Sequence, residues 1–150
     1  MSKEVVYEAQ DEMIAWATEV GKNNYRDDAK AIGIRNEAGY LGVVVFDSFT
    51  TRGCWVHVVS DGGKRWITRE FIIKVFAYPF IQLHYPRINA FVSESNPAAV
   101  KFNHDFGWTE EGRLREAGEQ GEDLIVFGML RRECRWLPET FAGKVPRNSI

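Results

Sequence analysis

The stretch VSESNPAAVKFNHDFGW, residues 92–108, joins the end of an apolar strand to a short helix. Asn96 and Pro97 are favoured at the cap and at the first position of a helix, so they predict where this helix begins. Gly107 is typical of the position just past a helix end. Three apolar residues at helical spacing predict the buried face of the helix: Ala98, Phe102 and Phe106. The stretch therefore predicts a strand followed by a capped helix with one apolar face.

The segments before this unit predict one helix and three strands. An apolar stripe at helical spacing predicts a helix over residues 9–20. Runs of β-branched and aromatic residues predict strands at 29–35, 40–49 and 54–60, the first two joined by the hairpin signal Asn-Glu-Ala-Gly. These strands are apolar on both faces, which indicates a sheet covered from both sides.

The remaining segments complete a single sheet. Residues 64–85 are apolar almost all round at helical spacing, which predicts a helix packed against the sheet, and Pro79 predicts its end or a kink near Ala77. Three strand-like runs follow, the last two forming a hairpin: 87–93, 109–117 and 123–130. The order of elements predicts a mixed α/β fold.

Composition limits the classes of function. Hydrophobic residues make up 45% of the 150 residues and charged residues 27%, as in an ordinary globular fold. The net charge of −2 gives no general attraction to nucleic acid. The charged N-terminal residues contain no apolar run of signal-peptide length, and no stretch has the apolar length needed to span a bilayer, so we expect no membrane partner and a cytoplasmic location. We expect one domain over residues 1–150, with a poorly ordered tail from about 138.

Isolated titratable residues give few signals. Cys54 and Cys134 are too far apart to indicate a disulfide framework or a metal motif, and the histidines lack ligand spacing, so no metal is expected. His57 lies inside a strand, where a partly buried structural histidine and a catalytic base are both open interpretations. Four acidic residues are interpreted as solvated charges: Asp27, Asp28, Glu110 and Glu111.

The turn DGGKRW, residues 61–66, follows a strand and precedes the long predicted helix. Backbone N–H groups in such a turn can bind an anionic phosphate. The sequence is neither a Walker A loop nor a dinucleotide-binding fingerprint, because the glycine spacing of both is absent. A purely structural Gly-Gly turn remains the alternative.

Taken together, the order of elements and the segment RINAFVSESNPAAVKFNHDFGWTEEGRLREA resemble the GCN5-related N-acetyltransferase superfamily. The resemblance covers about residues 5–137, and the segment is similar to the ribosomal-protein acetyltransferase branch. The positions that carry it are Asn96, Ala98, Ala99, Gly107-Trp108, Glu111-Gly112, Leu114 and Arg115. The chain also resembles small acetyltransferase-like proteins of tailed phages and prophages, for which the compartment would be the host cytoplasm.

The resemblance implies a mostly antiparallel sheet with helices on both faces, splayed between its fourth and fifth strands, with acetyl-CoA in the wedge. Residues 54–60 and 87–93 would be those two strands. Backbone groups around Val58 and Val59 would bind the pantetheine arm. The pyrophosphate would lie at the turn formed by Gly62, Gly63, Lys64 and Arg65 and at the N-terminus of the next helix. Asn96 would cap the later helix while facing the arm, and Phe102 would line the thioester end.

Two departures from the family pattern concern the phosphate loop and the general acid. At the aligned loop positions the chain has Ser60, Gly63 and Arg65, so only the middle glycine of the family's Arg/Gln-x-x-Gly-x-Gly/Ala is kept. Many members have a tyrosine that protonates the leaving thiolate where this chain has Phe102. A phenyl ring has no proton to donate.

The function implied is acetyl-CoA-dependent transfer of an acetyl group to an amine by direct attack in a ternary complex. Two bases remain open, His57 and Glu94. The acceptor is a small molecule or a protein N-terminus, and a homodimer through the final hairpin stays open. A degenerate fold that serves as a binding or structural module is the main alternative, with Trp55, Trp66 and Trp108 as its partner surface. A DNA-modifying acyltransferase is a third, which would need a basic groove.

Overall fold

The computed structural model describes residues 2–138 and contains one mixed sheet of seven strands. In chain order the strands are β1 (Glu4–Val6), β2 (Lys30–Asn36), β3 (Gly39–Asp47), β4 (Trp55–Ser60), β5 (Arg87–Ser93), β6 (Thr109–Leu114) and β7 (Leu124–Leu130). Their order across the sheet is β1-β2-β3-β4-β5-β7-β6. Neighbouring strands are antiparallel except β4 and β5, which are parallel. The predicted mixed α/β fold with a mostly antiparallel sheet is confirmed.

Helices cover the sheet on both faces, as the doubly apolar strands predict. The helices are α1 (Gln10–Gly21), α2 (Arg69–Ala77) and α3 (Pro97–Phe106). On one face, Met13 of α1 packs with Val45 of β3 and Val59 of β4. On the other, Phe71 of α2 packs in a larger cluster that includes Phe46 of β3. Because side chains alternate along a strand, odd-numbered residues of β4, and of β3 from Val43 onward, face α1, and even-numbered residues face α2.

The predicted helix over residues 64–85 is shorter than expected. Residues 61–68 form turns, α2 begins at Arg69, and it ends at Ala77 as Pro79 predicts. A π-helical turn, Tyr78–Gln82, continues the chain, with the N–H of Leu83 donating to the carbonyl of Tyr78. The late start has a local cause, because the hydroxyl of Thr68 accepts a hydrogen bond from the N–H of Phe71 and caps the helix there.

Some side chains differ in burial from what the sequence predicts. None of the residues of α3 is fully buried: Ala98 is exposed, and Phe102 and Phe106 are only half-buried. Conversely, Trp66 and Trp108 are 6% and 8% exposed, so they are core residues and not the partner surface that the binding-module hypothesis requires. The short strand β1, which pairs with β2 at the sheet edge, is not predicted at all.

Two expectations concern the chain ends and membranes. The expected disorder of the tail falls almost entirely on residues 139–150, which lie outside the described part of the chain. Between residues 2 and 138, no helix is both long and apolar enough to cross a membrane.

Candidate functional site

A cleft opens where β4 and β5 diverge. The two strands share a single pair, Trp55 with Asn89, next to which the N–H of Asn89 donates to the carbonyl of Cys54 at 2.9 Å. Beyond this pair lies a cleft of about 550 Å³, with walls from both strands, the turn after β4, α2 and α3. It is larger than two other cavities, of about 460 and 450 Å³, found among residues 2–138. The splay that the resemblance implies is therefore present.

The backbone of β4 offers a free edge to this cleft. The carbonyl of Cys54 faces β5, whereas the N–H of Asp61, just beyond the end of β4, donates to the carbonyl of Leu41 in β3 at 3.0 Å. Because backbone groups alternate along a strand, the N–H and carbonyl of Val58 face the β5 side, where the strands have already parted. The side chain of Val58 lines the cleft and is 49% exposed.

Val59 is placed differently from Val58. Its backbone groups are directed to β3, like those of Asp61 two residues later, and its side chain is buried in the cluster beneath α1. Of the two adjacent valines singled out by the resemblance, only Val58 lies at the cleft. Alternation along the strand is the physical reason, because adjacent residues cannot both present their backbone groups to one edge.

The turn after β4 presents donors at the end of the cleft. Gly62 has φ of +103°, a backbone conformation that favours glycine. The N–H of Gly62 donates to Ser60 Oγ at 3.1 Å, and that of Gly63 to Asp61 Oδ1 at 2.9 Å. The next three N–H groups, of residues 64–66, have no acceptor among the residues that the structure describes. This run of free donors could hold an anion.

The two cationic residues of the turn differ in position. Lys64 lines the cleft. Arg65 is not among its lining residues; its guanidinium lies 3.5 Å from Asp61 Oδ2, and its carbonyl accepts from Lys3 Nζ at 3.0 Å. The helix N-terminus is also further away than expected, because α2 starts at Arg69. Lys64 and the free N–H groups are thus the groups suited to phosphate here.

The opposite wall comes from the start of α3 and its aromatic side chains. Asn96 lines the cleft and caps the helix, its Oδ1 accepting from the N–H of Ala99 at 3.2 Å. Phe102 also lines the cleft, with ring-centroid distances of 5.0 Å to Phe106 and 5.8 Å to Trp66. The half-burial of α3 follows from this position, since its apolar face borders the cleft.

His57 is held by a buried carboxylate that sequence analysis missed. Nε2 of His57 lies 2.8 Å from Oδ1 of Asp47, and Asp47 is only 4% exposed. The other oxygen of Asp47 accepts the N–H of Arg26 at 3.0 Å. A signal was available: Asp47 ends an apolar strand, on the same face as His57 of the next strand. An acidic residue that is predicted to be buried requires a partner.

Aromatic rings surround the imidazole of His57. Tyr25 and Phe91 have ring centroids 5.3 and 5.7 Å from it, and Trp55 lies 5.9 Å from Phe91. The hydroxyl of Tyr25 is buried and has no hydrogen-bond partner among residues 2–138. Its burial, and next the charge of Asp47, raise the pKa of Tyr25, so its hydroxyl stays protonated at neutral pH.

Glu94, the other candidate base, lies outside the cleft lining. Its carboxylate forms an ion pair with Arg113, which also contacts Asp123 Oδ2 at 3.1 Å. The structure therefore brings His57 to the cleft, together with Val58, Gly62, Gly63, Lys64, Asn96 and Phe102. It places Val59, Arg65 and Glu94 elsewhere.

The cysteines do not provide a nucleophile. Burial raises the pKa of the Cys54 thiol to about 12 and that of Cys134 to about 11. Both thiols are therefore protonated at neutral pH. Both cysteines are buried in the core.

Comparisons with known proteins agree with this geometry. No protein-family model matches the chain. It is 26% identical over 115 residues to the prophage-derived uncharacterized N-acetyltransferase YokL of Bacillus subtilis strain 168, a match that covers 72% of this chain and 65% of the relative. The chain thus spans slightly less than two thirds of that relative.

Solved structures show the fold. A variant of the spermidine N-acetyltransferase SpeG from Vibrio cholerae superimposes with a TM-score of 0.73 at 16% identity, over 92% of this chain and 98% of that one. A complex of the Vibrio cholerae spermidine N-acetyltransferase with CoA and spermine superimposes with a TM-score of 0.69 at 15% identity, over 87% of this chain and 96% of that one. The chain therefore has the fold of these acetyltransferases, with the same kind of splayed sheet, and its sequence is similar to that of a prophage-derived N-acetyltransferase.

Proposed function

We propose that the protein is an acetyl-CoA-dependent N-acetyltransferase that moves the acetyl group directly to an amine. The observation that carries the proposal is the cleft between β4 and β5, with the unpaired backbone edge of Val58 along its wall. An extended, amide-containing arm can bind such an edge as an additional strand would. The neighbouring superfamily member in complex with CoA supports the same cofactor class.

Residues at the two ends of the cleft fit the two ends of the cofactor. Lys64 and the free N–H groups of residues 64–66 would bind the pyrophosphate, because both supply donors to an anion. Phe102 and Val58 supply apolar contact near the thioester end. Bound acetyl-CoA would supply the activated acetyl thioester. The N–H of Val58 could donate to the acetyl oxygen and stabilise the charge that develops there.

His57 is the base that the geometry favours. An alkylammonium must lose a proton before it can attack a carbonyl. With Nε2–H donating to Asp47, the lone pair of His57 lies on Nδ1, which can then accept that proton. Asp47 would also stabilise the imidazolium that forms, as an acidic partner of a catalytic histidine does.

Phe102 leaves the position of the family's general acid without a proton. The leaving group is a thiolate, whose conjugate thiol has a pKa of about 8.5 in the unperturbed state. Protonation by water is sufficient for such a leaving group. The departure at Phe102 is therefore compatible with catalysis.

The binding-module hypothesis draws on a different observation. The carboxylate of Asp61 accepts the N–H of Gly63 and so lies where a phosphate would be bound. In that hypothesis the acid would exclude the cofactor permanently. In an enzyme, Asp61 would turn outward toward Arg65, its neighbour at 3.5 Å, when the cofactor enters.

Isothermal titration with acetyl-CoA and CoA distinguishes the acetyltransferase from the binding module. We expect micromolar binding by the wild type and binding about 10- to 150-fold weaker by Lys64→Ala, because a charge-assisted hydrogen bond contributes about 1.5–3 kcal/mol. Arg52→Ala is the control: it removes an exposed cation at the opposite end of β4 and should leave affinity unchanged. No binding at millimolar acetyl-CoA would eliminate the enzyme and leave a binding module. Salt-sensitive DNA binding would support the DNA-modifying alternative.

A further inference from the structure

An aromatic platform formed by Trp55 and Phe91 adjoins His57 on the face of the sheet that carries α1. Trp55 and His57 are odd-numbered residues of β4, on the same face as Val59, which packs beneath α1. Phe91 of β5 contacts both, with centroid distances of 5.9 Å to Trp55 and 5.7 Å to His57. The three rings are therefore contiguous across the start of the cleft.

The platform is open on its outer side. The principal packing of α1 is against β2, β3 and β4, which leaves β5 at the margin of the helix. Phe91 is 39% exposed and Trp55 is partly exposed. Exposed aromatic surface beside a reactive group is suited to hold the apolar part of a ligand.

Charges beside the platform are already paired. On β6, Glu111 forms an ion pair with Arg87 at 2.6 Å. After β5, Glu94 is paired with Arg113. Asp47, the buried carboxylate at the centre, is bonded to His57. None of these three carboxylates is free to bind a second ammonium group of a polyamine.

We propose that the acceptor is a primary amine on an aromatic or other apolar skeleton that carries a single positive charge. The skeleton packs on Phe91 and Trp55, and the amino group lies at His57. This inference rests on the proposed function and names the substrate class of the same site. In the reaction the ammonium group gives one proton to Nδ1 of His57, and the neutral nitrogen forms a C–N bond to the acetyl carbon. The C–S bond breaks, the sulfur leaves with its electron pair, and water carries the second proton from the nitrogen to the sulfur.

The test compares kcat/KM for 2-phenylethylamine, n-butylamine and spermidine at saturating acetyl-CoA. We expect the aromatic amine to exceed spermidine at least tenfold. Phe91→Thr, which suits a strand but lacks the ring, should lower kcat/KM for 2-phenylethylamine by roughly tenfold or more and that for n-butylamine by much less. Phe91→Tyr should retain the preference, because it keeps the ring.

The control variant is Leu114→Ala, which truncates another exposed apolar side chain, 47% exposed on the edge strand β6. It should leave all three values unchanged. Circular dichroism confirms that each variant is folded. A second readout is the oligomeric state by light scattering, which should be the same for Phe91→Thr and wild type.

Several outcomes would overturn the inference. One is a higher kcat/KM for spermidine than for 2-phenylethylamine in the wild type. Another is an equal decrease of kcat/KM for all three amines in Phe91→Thr. A third is a wild-type dimer that Phe91→Thr dissociates, because this face would then be a subunit interface. Binding of acetyl-CoA with no turnover of any of the three amines overturns the inference but leaves the proposed cofactor site intact. Absence of acetyl-CoA binding removes the proposed function itself, and the inference with it.

Discussion

Asp47 Oδ1 lies 2.8 Å from Nε2 of His57, and both side chains lie on the face of the sheet that α1 covers. The second oxygen of Asp47 is occupied by the N–H of Arg26. An ionised carboxylate only accepts hydrogen bonds, so with Asp47 ionised the contact places a proton on Nε2. In the proposed function Asp47 therefore sets the tautomer and the orientation of His57, and Nδ1 is the nitrogen that would act as the base.

Asp47→Asn should impair catalysis without impairing cofactor binding. The amide can donate to Nε2 and so favour the opposite tautomer, which places the proton on the nitrogen that must accept one. We expect kcat to fall by roughly a hundredfold or more, as in histidine–aspartate pairs of other enzymes, with acetyl-CoA affinity unchanged. Nitrogen-15 spectra of His57 would show the Nε2–H tautomer in the wild type and its loss in the variant.

The control for this substitution is Asp105→Asn, which removes a surface carboxylate from the ion pair with Lys101 on α3. It should alter neither the spectra nor kcat. Normal kcat in a folded Asp47→Asn protein would contradict the positioning role. Because Asp47 is buried, a thermal melt must accompany the measurement, since losing a buried hydrogen bond costs about 1–3 kcal/mol.

Substitutions of the two candidate bases separate their roles. His57→Gln should lower kcat by about 10²- to 10⁴-fold, the usual contribution of a general base, and should leave acetyl-CoA binding intact. Glu94→Gln should change kcat little, because Glu94 is ion-paired with Arg113 outside the cleft lining. The stability cost of Glu94→Gln should be below about 1 kcal/mol, as for an exposed ion pair. The reverse order of effects on kcat would assign catalysis to Glu94.

The sequence predicts the strands and caps well because their signals are local. The β-branched runs of β3 and β4, the Asn96 cap and the break at Pro79 each depend on nearby residues only. The predicted start of α2 is too early, because the apolar residues before Arg69 reach the core from turns and not from a helix. Trp66 is the clearest case: it is buried in the core before the helix begins.

The site depends on pairings that are distant in sequence. Asp47 and His57 come together through the register of β3 and β4, in which Val45 faces His57 and Asp47 faces Trp55. The different orientations of Val58 and Val59 also require that register. Asp28, interpreted as a solvated charge, instead accepts backbone N–H groups from the segment after β3.

Gly62 should be required for the conformation of the phosphate turn. Its φ of +103° disfavours any side chain, although an added Cβ would meet no atom within 4 Å. Gly62→Ala should therefore act through backbone strain alone, at about 1–2 kcal/mol. The strain would shift the adjacent N–H groups and weaken acetyl-CoA binding. Titration calorimetry and thermal melts measure the two effects.

A matched control for Gly62→Ala is Gly112→Ala on β6, where an added Cβ also meets open space and φ is not positive. This variant should bind acetyl-CoA as the wild type does. If Gly62→Ala also binds normally, the turn does not form the phosphate site. Equal weakening in both variants would point to a general effect of the substitution.

Asp28→Asn should destabilise the protein at neutral pH and much less in acid. Asp28 accepts the N–H groups of Ser48 and Phe49 at 3.0 and 2.9 Å, and these bonds, with Phe49 first, lower the pKa of its carboxyl below the ordinary 3.8. A lowered folded-state pKa gives stability that is complete above the unfolded-state value and is lost as pH falls through the folded-state value. Denaturation at pH 7, 5 and 3 should show that the difference in unfolding free energy between Asp28→Asn and the wild type becomes smaller below about pH 4.

The control is Asp27→Asn, because no N–H within residues 2–138 donates to Asp27. If the loss of unfolding free energy in Asp28→Asn is the same at every pH, the charge of Asp28 contributes nothing to stability.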